Sequence, residues 1–346
     1  MPVLTDKDIG DLVTSTLDDL GRLKFSDAAS TLQNYPFFSS ILKKDRVSFE
    51  SGTGVQRTIM VQHNNAAKNV GMFQTKTTNV ADSLKTILVP WRHTTTGYAF
   101  ERREMLMNRG AAMIVKLLKV RRSDALLSLA ELIESDGWNK PADDTDKVQP
   151  FGVPYWVVQN NMTGFTGSLA SGFTSGPGGL NSDTYTRTKN YSFQYTNINK
   201  TDMLSKLRTG HRKIRFKSPI DVNDYRKGAG ERYRGYTNET VLKGMEDLAE
   251  GQNDNLGRDL GVMDGVTTFR RNPLFYVAEL DDNNVKTDPI YLLDMNQFYP
   301  VILSGDYLYE HAPQKVAGQS NTFVIDIDLT WNMVCAHRRG QLVGSK

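Results

Sequence analysis

The sequence is poor in cysteine, histidine, net charge and long apolar runs, and each shortage removes a class of function. A single cysteine, Cys335, in 346 residues excludes an intrachain disulfide framework and leaves a structural zinc site without a second sulfur ligand. A small buried hydrophobe is the role that fits it. The 42 basic and 39 acidic residues give a formal net charge of +3, too balanced for a chain that coats nucleic acid, so any such contact is local. No window approaches the ~20 apolar residues needed to span a bilayer, and Met1 to Gly10 carries acidic residues where a signal peptide is basic. No membrane partner is expected, and synthesis and assembly are expected in the cytoplasm.

Recognisable chemistry is equally scarce. The five histidines, His63, His93, His211, His311 and His337, include no pair spaced i, i+4 for holding a metal on one helix face. They read as isolated polar or core residues. Gly228-Ala-Gly230 continues as Glu-Arg-Tyr233 and lacks the third glycine of a phosphate-cradling loop. Asp326 and Asp328 share one strand face, as an acid/base pair would, but alternate polar residues are what any half-buried strand shows. No Gly-x-Ser-x-Gly elbow occurs. No catalytic residue, cofactor or metal is therefore assigned, and the chain is not expected to be an enzyme.

What is present is a turn-rich, ordered composition: 39% hydrophobic residues, 10% aromatics and 28 glycines. The length exceeds what one compact core usually serves, so two lobes sharing a sheet or hinge are expected. Thr5 to Leu23 has helical spacing, with Ile9, Leu12, Val13, Leu17 and Leu20 on one face and Asp8, Asp11, Asp18 and Asp19 opposite. Phe25 to Lys44 loses any period and is broken by Pro36, which suits an extended linker. Arg46–Glu50 and Val55–Gln62 read as two strands joined by the turn Ser51-Gly-Thr-Gly54, and Leu84–Trp91 with Thr94–Phe100 as a second extended pair. Residues 46–100 thus form an elongated β arm, and the sequence offers it no obvious internal cover. A two-stranded hairpin is marginal in water, so a neighbouring subunit is its expected support.

From Glu101 to Glu134 there is no proline, and Leu106, Ile114, Leu118, Ala125, Leu129 and Leu132 recur at helical steps. One helix of about 50 Å at 1.5 Å per residue is expected. Gly110 and the patch Lys119, Arg121, Arg122 are its weak points, and Asp136-Gly137 is its expected end. Phe151–Val158 reads as a strand, Gly164–Leu180 as a mobile loop, and Asp202–Phe216 and Asn238–Ala249 as helices capped by Thr201 and Thr237. Lys206, Arg208, His211, Arg212, Lys213, Arg215 and Lys217 make the first of these helices the densest basic segment. A solvated or subunit-facing surface is the expected role, and the lack of interleaved aromatics argues against single-strand binding. Further strands are expected at Asn272–Leu280, Pro289–Leu293, Thr322–Cys335 and Gln341–Val343. In Thr322–Cys335, Ile325, Ile327, Leu329, Trp331, Met333 and Cys335 alternate with Asp326, Asp328, Thr330 and Asn332.

This order of elements resembles the coat-protein fold of tailed phages, the Hong Kong ninety-seven type. Asp328-Leu-Thr-Trp-Asn-Met-Val-Cys-Ala-His-Arg-Arg339 is similar to the C-terminal strand of many phage major capsid proteins. Phe151-Gly-Val-Pro-Tyr-Trp156, Gly179-Leu-Asn181, Asp254–Leu260, Phe269–Tyr276 and Asp288–Leu293 also look family-like. The resemblance implies an α+β fold: an N-terminal arm (1–45), an extended β loop (46–100), a peripheral domain with a long spine helix and loop insertion (101–197), an axial domain (198–305), and a closing strand of the peripheral domain (306–346). It implies a major capsid protein whose pentamers and hexamers close an icosahedral head around double-stranded DNA, bound without sequence specificity, in the virion. A separate scaffold protein, a portal and cement proteins are the implied partners. Some members also join a loop lysine to an asparagine of the next subunit, and Lys68, Lys76 and Lys85 lie in the corresponding region. Glu101, Arg102, Arg103 and Glu104, where arm meets spine, are the candidate inter-subunit contacts. The alternatives are an encapsulating-shell relative that packages cargo proteins, or another virion structural protein such as a tail component.

Overall fold

The computed structural model describes residues 35, 37, 47–62, 67–73, 83–107, 111–215, 233–253, 267–270, 272–281, 286–319 and 321–346. The amphipathic stretch Thr5 to Leu23, nearly all of the linker, His63, Lys76, Lys217 and Gly228 to Gly230 lie outside them. In chain order the strands of the first half are β1 (Ser48–Glu50), β2 (Gly54–Met60), β3 (Leu84–Pro90), β4 (Arg92–Glu101), β5 (Gly164–Gly167) and β6 (Asn190–Gln194). Those of the second half are β7 (Tyr233–Thr237), β8 (Thr268–Phe269), β9 (Asn272–Tyr276), β10 (Ile290–Asp294), β11 (Phe298–Leu303), β12 (Tyr309–Glu310), β13 (Gln314–Lys315), β14 (Thr322–Cys335) and β15 (Leu342–Ser345). The helices are α1 (Arg102–Met107), α2 (Ala111–Trp138), α3 (Val153–Trp156), α4 (Met203–Ile214) and α5 (Glu239–Asn253).

The period-two run at the C-terminal end forms β14 with the bounds its sequence suggests, and its six alternating apolar residues are all buried. One edge of β14 pairs antiparallel with β4 from Thr322↔Glu101 to Trp331↔Arg92. The other edge takes β13, β12 and β11 in turn, and β1 adds parallel to β11. α2 lies on this sheet, with Leu118 and Ala125 packed among Tyr98, Phe100, Ile325 and Ile327. A second sheet runs β5-β6-β15-β10-β7-β9-β8. Along its strand β10, Ile290 and Leu292 face the core under α4 and α5, while Tyr291 and Leu293 face the large core that includes Trp138, Trp156 and Trp331.

Several expectations are corrected. β1 and β2 are not a hairpin: β2 pairs with β3 in register Gly54↔Pro90 to Met60↔Leu84, and β1 joins β11. Three residues of β1 are too few to hold a ribbon alone, whereas β2 and β3 match over seven. Nor do β3 and β4 pair with each other, since β4 is taken by β14. Inside 101–134 the described backbone forms two helices, α1 and α2, with residues 108–110 outside the description. α2 continues past Asp136-Gly137 to Trp138, because Gly137 serves a close approach and not a cap. A Cβ there would stand 2.6 Å from the Phe37 ring. Glu134 receives the Phe37 N–H (3.1 Å) and the Trp138 indole N–H (2.8 Å).

The expected strand 151–158 is instead the one-turn α3, with Pro154 in its first turn, where the missing N–H costs nothing. Its aromatics stack, Phe151 on Tyr155 with centroids 4.0 Å apart. The expected mobile loop 164–180 contains β5 and is tied down along its length. Lys140 binds the Ser171 carbonyl (2.7 Å), Thr174 N–H binds Asp144 (2.8 Å), and Gly178 N–H binds the Tyr155 hydroxyl (3.1 Å). Thr201 and Thr237 do not cap. Asn238 caps α5 through Oδ1 to the Val241 N–H (3.1 Å), while Thr237 donates to the Pro289 carbonyl. Asp202, at the start of α4, accepts instead from the N–H groups of Thr196 and Asn197 and from Lys206.

The two sheets draw strands from both sides of residues 197/198 and 305/306. β6 and β15 belong to the sheet of β7 and β10, and β11 belongs to the sheet of β14. Leu342 and Val343 of β15 are buried on opposite faces, which calls for an interior sheet position.

Candidate assembly surface

One face of the β2–β3 ribbon is covered, and the other, which carries Met60, Leu84 and Leu88 together with Gln56, Thr58 and Thr86, is open. Val55, Ile87 and Val89 belong to the main core, and Gly178, at φ +72, brings its backbone against Ile87, where a Cβ would lie 2.9 Å from the Ile87 Cβ. The internal cover that the arm's sequence gave no sign of is thus the segment 138–197. At its base, Arg57 donates to Tyr299 Oη (2.9 Å) and forms an ion pair with Glu50. Burial works to raise the Glu50 carboxyl, yet the hydrogen bonds from Arg57 and Ser48 and the guanidinium charge hold it below its usual range. Asn332 reaches both parts, accepting from Phe151 N–H (2.8 Å) and donating to the Pro90 carbonyl (2.7 Å).

The opposite ribbon face is bare. Met60 and Leu84 stand opposite each other in register and are 58% and 54% exposed, and Leu88, opposite Gln56, is 56% exposed. Val70, Met72 and Phe73 are exposed as well, Phe73 at 99%. Single exposed hydrophobics are ordinary, but three large ones on one ribbon face, set around the Thr58–Thr86 pair, make it a candidate interaction surface.

The junction residues separate into two groups. Glu104 accepts two bonds from Arg121 (2.6 and 2.9 Å), which hold its carboxyl below the usual range and brace α1 against α2. Arg102 buries its Nε without a partner among the described residues. Glu101 and Arg103 are exposed and 3.8 Å apart, so they are the two of the four whose side chains face outward.

The histidines are less isolated than their spacing suggests. His311 Nε2 lies 2.6 Å and His93 Nε2 3.7 Å from the carboxylate of Asp328, and His93 Nδ1 lies 3.8 Å from Asp306. Cross-strand pairing creates this cluster, since Asp328 stands opposite Thr95 on β4 and Tyr309 on β12. Asp328 is thereby engaged, and no acid/base pair with Asp326 forms. Among the described residues no group of His, Cys, Asp or Glu is placed to hold a metal, and no helix is long and apolar enough to cross a membrane. Burial pushes the Cys335 thiol up to about 12.

The basic helix α4 carries less charge than its sequence suggests, because Lys206 pairs with Asp202 (2.6 Å) and His211 is buried between Tyr233 and Phe269. Burial, then the charges of Arg215 and Arg270, lower His211 to about 4. A depressed histidine contributes stability above its unfolded value of about 6.5, lost as pH falls toward 4. Chemical denaturation across that window is expected to show a loss of about 2–3 kcal/mol in the parent. The slope should flatten in His211→Gln, and an unchanged slope would show that His211 is not the titrating group.

No protein-family model and no curated protein matches the chain. Solved structures do. The chain is similar to the capsid of Cyanophage A-1(L) at 14% identity, covering 94% of this chain and 96% of that one with a TM-score of 0.65. It is similar to the capsid of a native GTA particle at 9% identity, covering 94% and 95% with a TM-score of 0.58. It is also similar to the SrpI encapsulin of Synechococcus elongatus PCC 7942 at 10% identity, covering 95% and 94% with a TM-score of 0.52. The fold is therefore that of shell-building coat proteins. Specifically, the chain has the α+β Hong Kong ninety-seven-type capsid fold along nearly its whole length.

Proposed function

We propose that this chain is a shell subunit that assembles with copies of itself into a closed particle, the bare apolar face of the β2–β3 ribbon being the observation that carries the reading. The ribbon face exposes three large apolar side chains, Met60, Leu84 and Leu88, among Gln56, Thr58 and Thr86 on an internally braced element, and a second copy is its natural cover. Within the shell class we place it as a phage major capsid protein, forming pentamers and hexamers around double-stranded DNA after assembly in the host cytoplasm. A separate scaffold, a portal and cement proteins are its partners, and the virion is its location. The family-like closing segment, Asp328 to Arg339, supports this. Glu101 and Arg103 are proposed as inter-subunit contacts. The domain division is proposed as an N-terminal arm (1–45), an extended β loop (46–100), a peripheral domain (101–197) completed by the closing segment (306–346), and an axial domain (198–305).

Electron micrographs of the expressed chain, alone and with a scaffold protein, test the shell. Particles of regular size are expected, and a purely monomeric species would overturn it. The particle's content tests the finer reading. DNA of uniform length fits the phage capsid, and co-purifying enzyme fits the cargo shell that the encapsulin likeness keeps as the second reading.

A further inference from the structure

The positive charge of this nearly neutral chain is unevenly placed. Between Phe151 and Thr201 the sequence has a single acidic residue, Asp183, and neither Met203–Lys217 nor Ala336–Lys346 has any. These stretches meet at one corner of the second sheet. β5 and β15 both pair with β6, α4 packs on β6, and the one-turn segments Thr186–Thr188 and Arg338–Gly340 pack on each other. Asp183 is taken up by Lys189 and Ser168, and Asp202, just ahead of α4, by Lys206.

The cations of this corner rest on aromatic rings. The Arg339 guanidinium lies 4.0 Å from the centroid of Phe165, Phe165 stands edge-on to Tyr191 at 5.3 Å, and Lys213 Nζ lies 5.8 Å from the Tyr191 centroid. Arg339 and Lys213 are thus held on one pair of touching rings. Arg187 is near enough for its charge, after burial, to lower the basicity of Arg339. Arg212, next to Lys213, is exposed and bonds the Arg208 carbonyl. None of Arg187, Arg212, Lys213 and Arg339 meets a carboxylate among the described residues.

The helix dipole accounts for cations in the last turn of α4, but Arg187 and Arg339 lie on other elements and gain nothing from it. Like charges gathered without counter-charge repel, and a polyanion relieves the repulsion at each of them. The rings decide which polyanion. Tyr191 is buried and Phe165 is capped by Arg339, so the corner has no bare ring on which unpaired bases could stack and no apolar anchor of the kind that centres a protein contact. Duplex DNA presents a regular lattice of phosphates and asks only for cations spread over a surface, which several elements supply here.

We infer that this corner, with Arg187, Arg212, Lys213 and Arg339, is the surface of the subunit that contacts the phosphates of packaged double-stranded DNA. The inference rests on the reading of the chain as a shell around such DNA, and it fixes which side of the subunit points inward.

Fluorescence anisotropy of a short labelled duplex, titrated with the unassembled full-length chain at several salt concentrations, tests the surface. Binding that weakens with salt is expected. In the quadruple variant Arg187→Gln, Arg212→Gln, Lys213→Gln, Arg339→Gln the affinity should fall at least tenfold, and the slope of log affinity against log salt should shrink by about 3–4. Arg187, Arg212 and Lys213 are exposed, so the triple variant that keeps Arg339 on Phe165 should fold as the parent does and already show most of the loss. The control Lys68→Gln, Lys147→Gln, Lys243→Gln, Lys315→Gln removes the same charge from exposed lysines elsewhere and should bind as the parent does. Undiminished affinity in the triple and quadruple variants, or an equal loss in the control, overturns the surface, while DNA-filled particles would leave the capsid reading standing. A quadruple variant that binds the duplex normally and no longer assembles marks the corner as a subunit contact and overturns the inference as well. Particles that hold enzyme and no DNA overturn the capsid reading and this surface together.

Discussion

Replacing Arg338 by methionine is expected to cost about 3–5 kcal/mol of stability, although the methionine fills much of the same space. The guanidinium is only 6% exposed, and it bonds the carbonyls of Trp156 (2.7 Å), Gly167 (3.3 Å) and Ser168 (3.1 Å). It also bonds the Ser182 hydroxyl (2.9 Å) and Asn190 Oδ1 (3.3 Å). No carboxylate is among these partners, and burial lowers its pKa to about 10. Charge pairing therefore contributes nothing to holding it there, and its role is to satisfy acceptors from four separate stretches of the segment 138–197. With methionine the Trp156, Gly167 and Ser168 carbonyls and the Ser182 hydroxyl lose this donor, while Asn190 Oδ1 keeps the Val158 N–H (3.0 Å). Lysine has three donors on one atom and reaches only some of them, so Arg338→Lys is expected to fall between methionine and the parent. The midpoint of denaturant unfolding measures the loss, and limited proteolysis should report new cleavage between residues 159 and 182. A methionine variant within about 1 kcal/mol of the parent would show that the segment is held without Arg338, by its aromatic stack and its other hydrogen bonds.

Arg338 also illustrates which parts of the fold the sequence made legible. β14 could be read residue by residue because it is long and its apolar side chains keep period two across the centre of a sheet. The helical character of 111–134 was legible from spacing, but its true end was not, because Gly137 answers to Phe37, a residue far away in sequence. α3 is one turn long, too short to show a helical period, so its buried aromatics read as a strand. β11 was missed because Pro300 interrupts the expected donor pattern, and it is tolerated just outside the stretch Val301–Leu303 that pairs with β1. Pairing partners were the least legible part. β2 and β3 were each recognisable as strands, but nothing local joined them across the residues between them. The same holds for the surfaces. The outward residues Met60, Leu84 and Leu88 follow from β2–β3 register, the His93–Asp328–His311 cluster from β4–β14–β12 register, and the cavity beside Tyr291 from the docking of 138–197 on β10. Each depends on tertiary pairing, for which one sequence carries only indirect signs.

The ribbon gives the second large effect, on assembly and not on folding. In the triple variant Met60→Ser, Leu84→Ser, Leu88→Ser the isolated chain is expected to melt within a few degrees of the parent. All three side chains are exposed, and surface changes of this kind usually stay within about 0.5 kcal/mol each. If a second copy covers the face, each large side chain contributes about 1.5–3 kcal/mol when buried. The triple variant then removes several kcal/mol from every repeated contact. Because a shell multiplies one contact over all its subunits, the yield of particles by sedimentation should fall at least tenfold while circular dichroism stays unchanged. Ile87→Ser is the contrasting control. Ile87 lies on the covered face against Gly178, in the core that includes Trp156, so its loss should lower the melting temperature of the free chain directly. A triple variant that still forms particles at the parent's yield would place the subunit contact elsewhere. The exposed pair Glu101 and Arg103 would then become the leading candidate for it.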